Sequence, residues 1–229
     1  MQKDFNVYNQ AGQLDTLQHR VLRNTYWLLG LSLIPTAVGA MVGINLSFAF
    51  MAVSPMLTSL LFLGAIYGLF YAIEANRFSA TGVYLLLLLT FILGVMLGPL
   101  LQFTLAFRNG AQLISLAAGG TAAVFFTLSA LASSTKRNFT GMAQFLMVGS
   151  VVLMVAVIAN IFLQLPLFQL VLCGAFMLFS SLMILFNISS IVHGGETNYI
   201  TATLSLYMNI YNIFVSLLQL LGVFGGDRR

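Results

Sequence analysis

Residues Thr197–Gly222 read TNYITATLSLYMNIYNIFVSLLQLLG. Within them Asn198, Thr201, Ser205, Asn209, Asn212, Ser216 and Gln219 recur three or four positions apart, the spacing of one helical face. The other positions are almost all Leu, Ile, Val, Phe, Tyr and Met. A helix this apolar belongs in a bilayer, and an amide-bearing stripe turned toward lipid would leave its polar groups unpaired in hydrocarbon. The stripe must therefore face other helices or a wet cavity, which places this last apolar helix, Tyr199 to Val223, in the middle of a bundle.

The rest of the chain agrees. Of 229 residues, 60% are hydrophobic and 6% charged, and mean hydropathy is +1.00, against roughly 25% charged residues in a soluble domain. Met1 to Asn24 is polar and mixed in charge and lacks the form of a cleavable signal peptide, so the first apolar helix is expected to be both signal and anchor. That tail, residues 1–24, is expected to be a soluble segment, disordered or loosely helical. A transmembrane domain over residues 25–224 and a short C-terminal tail, residues 225–229, complete the organisation. The lone Cys173 lies in an apolar run and is read as a buried, inert thiol.

Seven apolar runs, each long enough at roughly 20 residues to cross about 30 Å of hydrocarbon, are predicted. They cover about 26–48, 55–73, 80–101, 110–131, 142–163, 167–186 and 199–223. Gly39 and Gly43 in the first, and Gly94 and Gly98 in the third, have the small-xxx-small spacing of close helix contact. Pro35 is a candidate kink, and Pro166 separates the fifth run from the sixth. The fold class is thus all-α: a polytopic membrane protein of seven transmembrane helices with the last one central.

With the N-terminus cytoplasmic, that side collects Lys3, Arg20, Arg23, Arg77, Lys136 and Arg137, and the far side Arg108, Arg228 and Arg229. The bias favours N-in and C-out; a last helix that re-enters without crossing would instead put both ends inside.

Chemistry-bearing motifs are sparse. There is no G-x-S-x-G, H-E-x-x-H or G-x-x-x-x-G-K pattern, and no enzyme activity, cofactor, metal site or nucleic-acid partner is expected. His193 and Glu196, three apart beside Gly194 and Gly195, read as an interfacial loop rather than a metal pair. Glu74 and Arg77 read as a surface ion pair within one helical turn or as gate residues.

Two further stretches carry a resemblance. GVMLGPLL at 94–101 and LISLAAGGTAAVF at 113–125, with Ala117, Thr121, Ala122 and Phe125 in register, resemble the signature of the Bax inhibitor-1 (TMBIM) family, and TNYITATLSLYMNIYNIF resembles its final helix. The resemblance implies two layers of three helices packed around a central seventh. Through FNISSIVHGGETNYI, residues 186–200, and the polar N-terminal tail, the chain is most similar to the bacterial YccA subgroup. That likeness implies a multi-pass inner-membrane protein, a substrate and modulator of the membrane-anchored AAA protease FtsH, acting in membrane-protein quality control with FtsH and its associated membrane proteins as partners. The tail, with Lys3, Asp4, Asp15 and Arg20, would then be the handle the protease engages.

Other members of the family behave as pH-sensitive calcium leak channels gated by two aspartates, so the alternative is a cation leak, with calcium as a second partner. The positions matching those aspartates are Asn187 and Asn209. Paired carboxylates share a proton and attract a divalent cation, whereas paired amides do neither. Asn187, Ser205, Asn209, Asn212 and Ser216 are accordingly read as a central polar stripe, either glue between helices or the lining of a neutral, pH-insensitive pore.

Overall fold

The computed structural model describes residues 2–48, 55–135 and 138–227, and the side chains of 2–15 and 55–59 lie outside the description. The described residues form helices and connecting turns, with no strand. The helices are α1 (Gln2–Asn45), α2 (Pro55–Ala75), α3 (Ala80–Met96), α4 (Gly98–Leu105), α5 (Gly110–Ser134), α6 (Ala143–Leu163), α7 (Pro166–Val192) and α8 (Tyr199–Gly225). A 3-10 turn, Phe139–Met142, leads into α6. Six stretches are long and apolar enough to span a membrane, α3 and α4 counting as one, and Leu60–Ala75 of α2 is a shorter apolar helix. The protein is a polytopic helical membrane protein with the expected seven membrane segments.

α8 packs against α7, α5, α1, α3 and α2, and no residue from Asn198 to Gly222 is exposed. It is buried on its apolar as well as its polar positions: Leu206, Tyr207, Ile213 and Leu218 are at most 1% exposed. The last helix is therefore central, as the inward stripe requires. α6 is the opposite case, packed mainly on α7 with Leu146 as its one buried residue.

The most extensive helix pair is α1 with α3, and its cause is the two glycine pairs. A Cβ added at Gly39 would collide with the Phe91 carbonyl, at Gly94 with the Thr36 carbonyl, at Gly43 with the Val95 carbonyl and at Gly98 with the Gly43 carbonyl. Only glycine lets these backbones approach so closely, and van der Waals packing is what drives association inside lipid. Tyr207 then pins α8 to the pair: its hydroxyl shares a 2.8 Å hydrogen bond with Thr36 Oγ1 of α1 and donates to the Thr90 carbonyl of α3 at 3.5 Å. Tyr211, one turn on, donates to the Leu93 carbonyl at 3.3 Å.

Helix ends depart from the expected runs in three places. The third run is broken at Leu97, because Pro99 lacks the N–H that would bond the Val95 carbonyl. The sixth continues to Val192 rather than Phe186, keeping Ser189 and Ser190 helical. α1 is continuous from Gln2, so the tail expected to be disordered or loosely helical is the N-terminal half of a 44-residue helix. Pro166, as anticipated, opens α7 at its first turn, and Gln164 ends α6 in the left-handed region at φ 48°.

Candidate functional site: the polar seam of the central helix

The seam begins at the N-terminus of α8. Asn198, counted in sequence with the stripe, is the N-cap: its Oδ1 accepts from the Ile200 and Thr201 amides at 2.9 and 3.2 Å. Its Nδ2 donates to the Arg77 carbonyl at 2.7 Å, and its own N–H donates to Glu196 Oε1 at 2.8 Å. One residue thus caps α8 and ties it to the turn between α2 and α3. Across the end of α2, Glu74 in its last turn and Arg77 in the connection form an ion pair, both about half exposed. Thr201 Oγ1 donates to Glu74 Oε2 at 3.3 Å, and the Arg77 guanidinium lies 5.0 Å from the centre of the Phe78 ring. The pair is a surface clasp on the end of the central helix.

Further along α8, Ser205 and Asn212 are half-buried and Asn209 and Ser216 are buried. Asn209 Nδ2 donates at 2.7 Å to the Ser205 carbonyl one turn back on its own helix. Asn187, on α7, is half-buried, and its sealed Nδ2 has no hydrogen-bond partner; Ser129 Oγ of α5 and Ser180 Oγ of α7 are likewise buried without one. Asn187 and Asn209 therefore stand on packed helices, but the hydrogen bond that the Asn209 side chain donates goes to its own backbone. These three groups sit on α5 and α7, elements the stripe alone did not single out, and a fourth, Asn160 Oδ1, is on α6; no periodic signal in sequence would have found Ser129 or Ser180.

The remaining candidates lie elsewhere. Lys3, Asp4 and Asp15 are on the helical N-terminal part of α1 with side chains outside the described residues, and Arg20 is exposed. His193 Nδ1 is 2.8 Å from the Ser189 carbonyl and 3.3 Å from Ser189 Oγ, which accepts from the Phe139 amide. Glu196 is occupied at the Asn198 amide. These two side chains serve their own loop, and no group of three His, Cys, Asp or Glu side chains converges among the described residues. Cys173 is buried, and its thiol donates to Gln219 Oε1 at 3.1 Å.

Seven apolar helical segments, six of them around a central seventh with a buried polar seam, define the class: a multi-pass membrane protein whose polar seam points into its own bundle. The family described as Inhibitor of apoptosis-promoting Bax1 matches residues 18–226, and the chain belongs to it. The chain is 44% identical over 209 residues to the "Modulator of FtsH protease YccA" of Escherichia coli K12, covering 91% of this chain and 92% of that one. It is also 44% identical over 212 residues to an uncharacterised protein of Neisseria meningitidis serogroup A, covering 92% and 93%. A Helicobacter pylori protein is 30% identical over 203 residues, covering 89% and 86%.

Proposed function

We propose that this protein is a non-catalytic, multi-pass protein of the bacterial inner membrane that is a substrate and modulator of the membrane-anchored AAA protease FtsH, contacting that protease and its associated membrane proteins in membrane-protein quality control. The observation that carries the reading is the 44% identity, over nine-tenths of both chains, to a relative named as a modulator of that protease.

The N-terminal part of α1 is the proposed handle, on the cytoplasmic side. Gln18 packs against Gly194 of the loop between α7 and α8, and residues 2–17, about 24 Å of helix at 1.5 Å per residue, come before it in the chain. A lone helix of that length is marginal in water, so unwinding it for threading into an AAA pore costs little helix stability. Lys3, Asp4, Asp15 and Arg20 lie on or beside this stretch.

Deleting residues 2–14 tests the proposal in cells with and without the protease. The shortened protein should insert and fold as the full chain does and show a longer half-life, but only where the protease is present. Equal turnover of the two proteins in protease-containing cells would remove the handle.

The unpartnered Asn187 Nδ2, Ser129 Oγ and Ser180 Oγ favour one second reading, a neutral polar path for cations along α5, α7 and α8. Calcium flux into liposomes carrying the purified protein, compared with an unrelated seven-helix protein, separates the two readings.

A further inference from the structure

At the end of the bundle away from the α2–α3 turn, a cavity of about 300 Å³ lies between α4, the first turns of α7 and the last turns of α8. Its volume is at the lower end of the roughly 300–1,000 Å³ of small-molecule pockets. Leu100 and Phe103 of α4, Pro166 and Leu170 of α7, and Leu218 and Gly222 of α8 supply an apolar wall. Phe103 and Val223 at its rim are 63% and 57% exposed. They stand on the outer surface of the bundle, so the rim faces lipid. Most of the lining is apolar, and beside a bilayer the abundant apolar species is an acyl chain.

One wall is polar in a specific way. Asn160 Nδ2 donates to Gln169 Oε1 at 2.7 Å, Gln169 Nε2 donates to Gln219 Oε1 at 3.3 Å, and the Cys173 thiol donates to the same Gln219 oxygen. Gln169 and Gln219 both line the cavity. Two of the three bonds end on the Gln219 oxygen and none is donated by the Gln219 amide, so its N–H groups are unspent among the described residues. An unspent amide donor at membrane depth is costly unless an acceptor meets it. Gln219 lies between one and two turns from the end of α8 at Gly225, and Pro166 is the first residue of α7. The donor is therefore near the level of the ester groups of one leaflet rather than the bilayer centre.

We propose that this cavity is a phospholipid site: one acyl chain of a lipid from that leaflet lies between α4, α7 and α8, with its ester carbonyl accepting from Gln219. The site is independent of the protease reading, because it uses neither the N-terminal helix nor the Asn209 end of the seam. A bound chain would close the seam between the short helix α4 and the central helix with hydrocarbon.

The test releases the full chain from bilayers of phosphatidylethanolamine and phosphatidylglycerol into mild detergent and weighs it intact by native mass spectrometry. Wild type should appear as a monomer carrying one phospholipid. Gly222→Leu, which fills the cavity from its wall, and Val223→Trp, which covers the rim from an exposed position and leaves the packing intact, should both lose it. Gln219→Leu should weaken retention several-fold, and Leu178→Trp, on the exposed surface of α7 away from the cavity, should keep it. A lipid-free wild type, a dimer in place of the lipid adduct, or equal retention in wild type and both cavity variants would overturn the proposal.

Discussion

Asn187 and Asn209 give the seam its chemical character at the level of single residues. They are neutral where the family resemblance implies aspartates, and the Asn187 amide nitrogen is sealed without a partner. Changing both, Asn187→Asp with Asn209→Asp, should make stability pH-dependent. Burial penalises the ionised carboxylates, so their folded pKa values should lie above the unfolded value of about 3.9. The variant should then be most stable at low pH and lose stability as pH rises past that value, while wild type shows no such slope between pH 4 and 8. Thermal midpoints in detergent across that range measure the difference, and parallel curves for the two proteins would mean a fully solvated pair. Two glycines make a second residue-scale contrast. Gly94→Ala drives a Cβ into the Thr36 carbonyl, a backbone atom that cannot rotate away, and should cost about 1–3 kcal/mol or more in reversible unfolding. Gly64→Ala meets nothing within 4 Å and should be neutral or gain up to about 1 kcal/mol from helix propensity.

At the scale of elements, the end of α1 depends on a side chain from α4. Gln102 Nε2 lies 3.2, 2.8 and 2.9 Å from the carbonyls of Gly43, Ile44 and Leu46, groups a helix C-terminus leaves unsatisfied. Gln102→Leu should therefore cost about 1–3 kcal/mol in the same unfolding measurement, with the far end of α1 the first region to lose amide-exchange protection. Nothing in the sequence linked Gln102 to α1, because the link needs the α1–α3 crossing first. The seven apolar segments were legible from run length alone, and Gly39, Gly43, Gly94 and Gly98 marked faces for close helix contact without saying that the two pairs meet each other, since small residues at that spacing have few other uses in lipid. The ends were less legible. Ser189 and Ser190 look like loop formers, yet α7 runs through them because Ile188, Ser189 and Ile191 are buried and Ser189 Oγ accepts from the 3-10 turn. The inward stripe on α8 was readable from its period. Which amide bonds to which was not, because that depends on the depth at which α7 and α8 pass each other, a quantity no single helix encodes.

At the scale of the whole molecule, the helices fix which loops share a side. Thr203 Oγ1 reaches the Thr25 carbonyl at 3.3 Å, Asn198 binds the Arg77 carbonyl, Gln18 packs on Gly194, and Phe139 binds Ser189. The incoming α1 and the α2–α3, α5–α6 and α7–α8 connections therefore lie together. On the opposite side the end of α8 is stitched to the α4–α5 turn: Asn109 Nδ2 donates to the Gly225 carbonyl at 2.7 Å, the Arg108 N–H donates to the Asp227 carbonyl at 3.0 Å, and the Asp227 N–H donates to Asn109 Oδ1 at 3.0 Å. α8 has 27 residues, about 40 Å at 1.5 Å per residue, enough to cross about 30 Å of hydrocarbon. A last helix that re-enters without crossing does not fit that length or those two sets of ties. The basic residues then choose the absolute orientation as a hypothesis: Lys3, Arg20, Arg23, Arg77, Lys136 and Arg137 belong to connections on the first side by sequence, against Arg108, Arg228 and Arg229 on the second. A reporter active only outside the cytoplasm should be active when fused after Arg229 or inserted after Arg108, and silent when fused after Arg137. Activity after Arg137 with silence at the other two would invert the whole molecule while leaving the fold untouched. Silence after Arg229 with activity after Arg108 would break the tie between Asn109 and Gly225 and return the re-entrant helix.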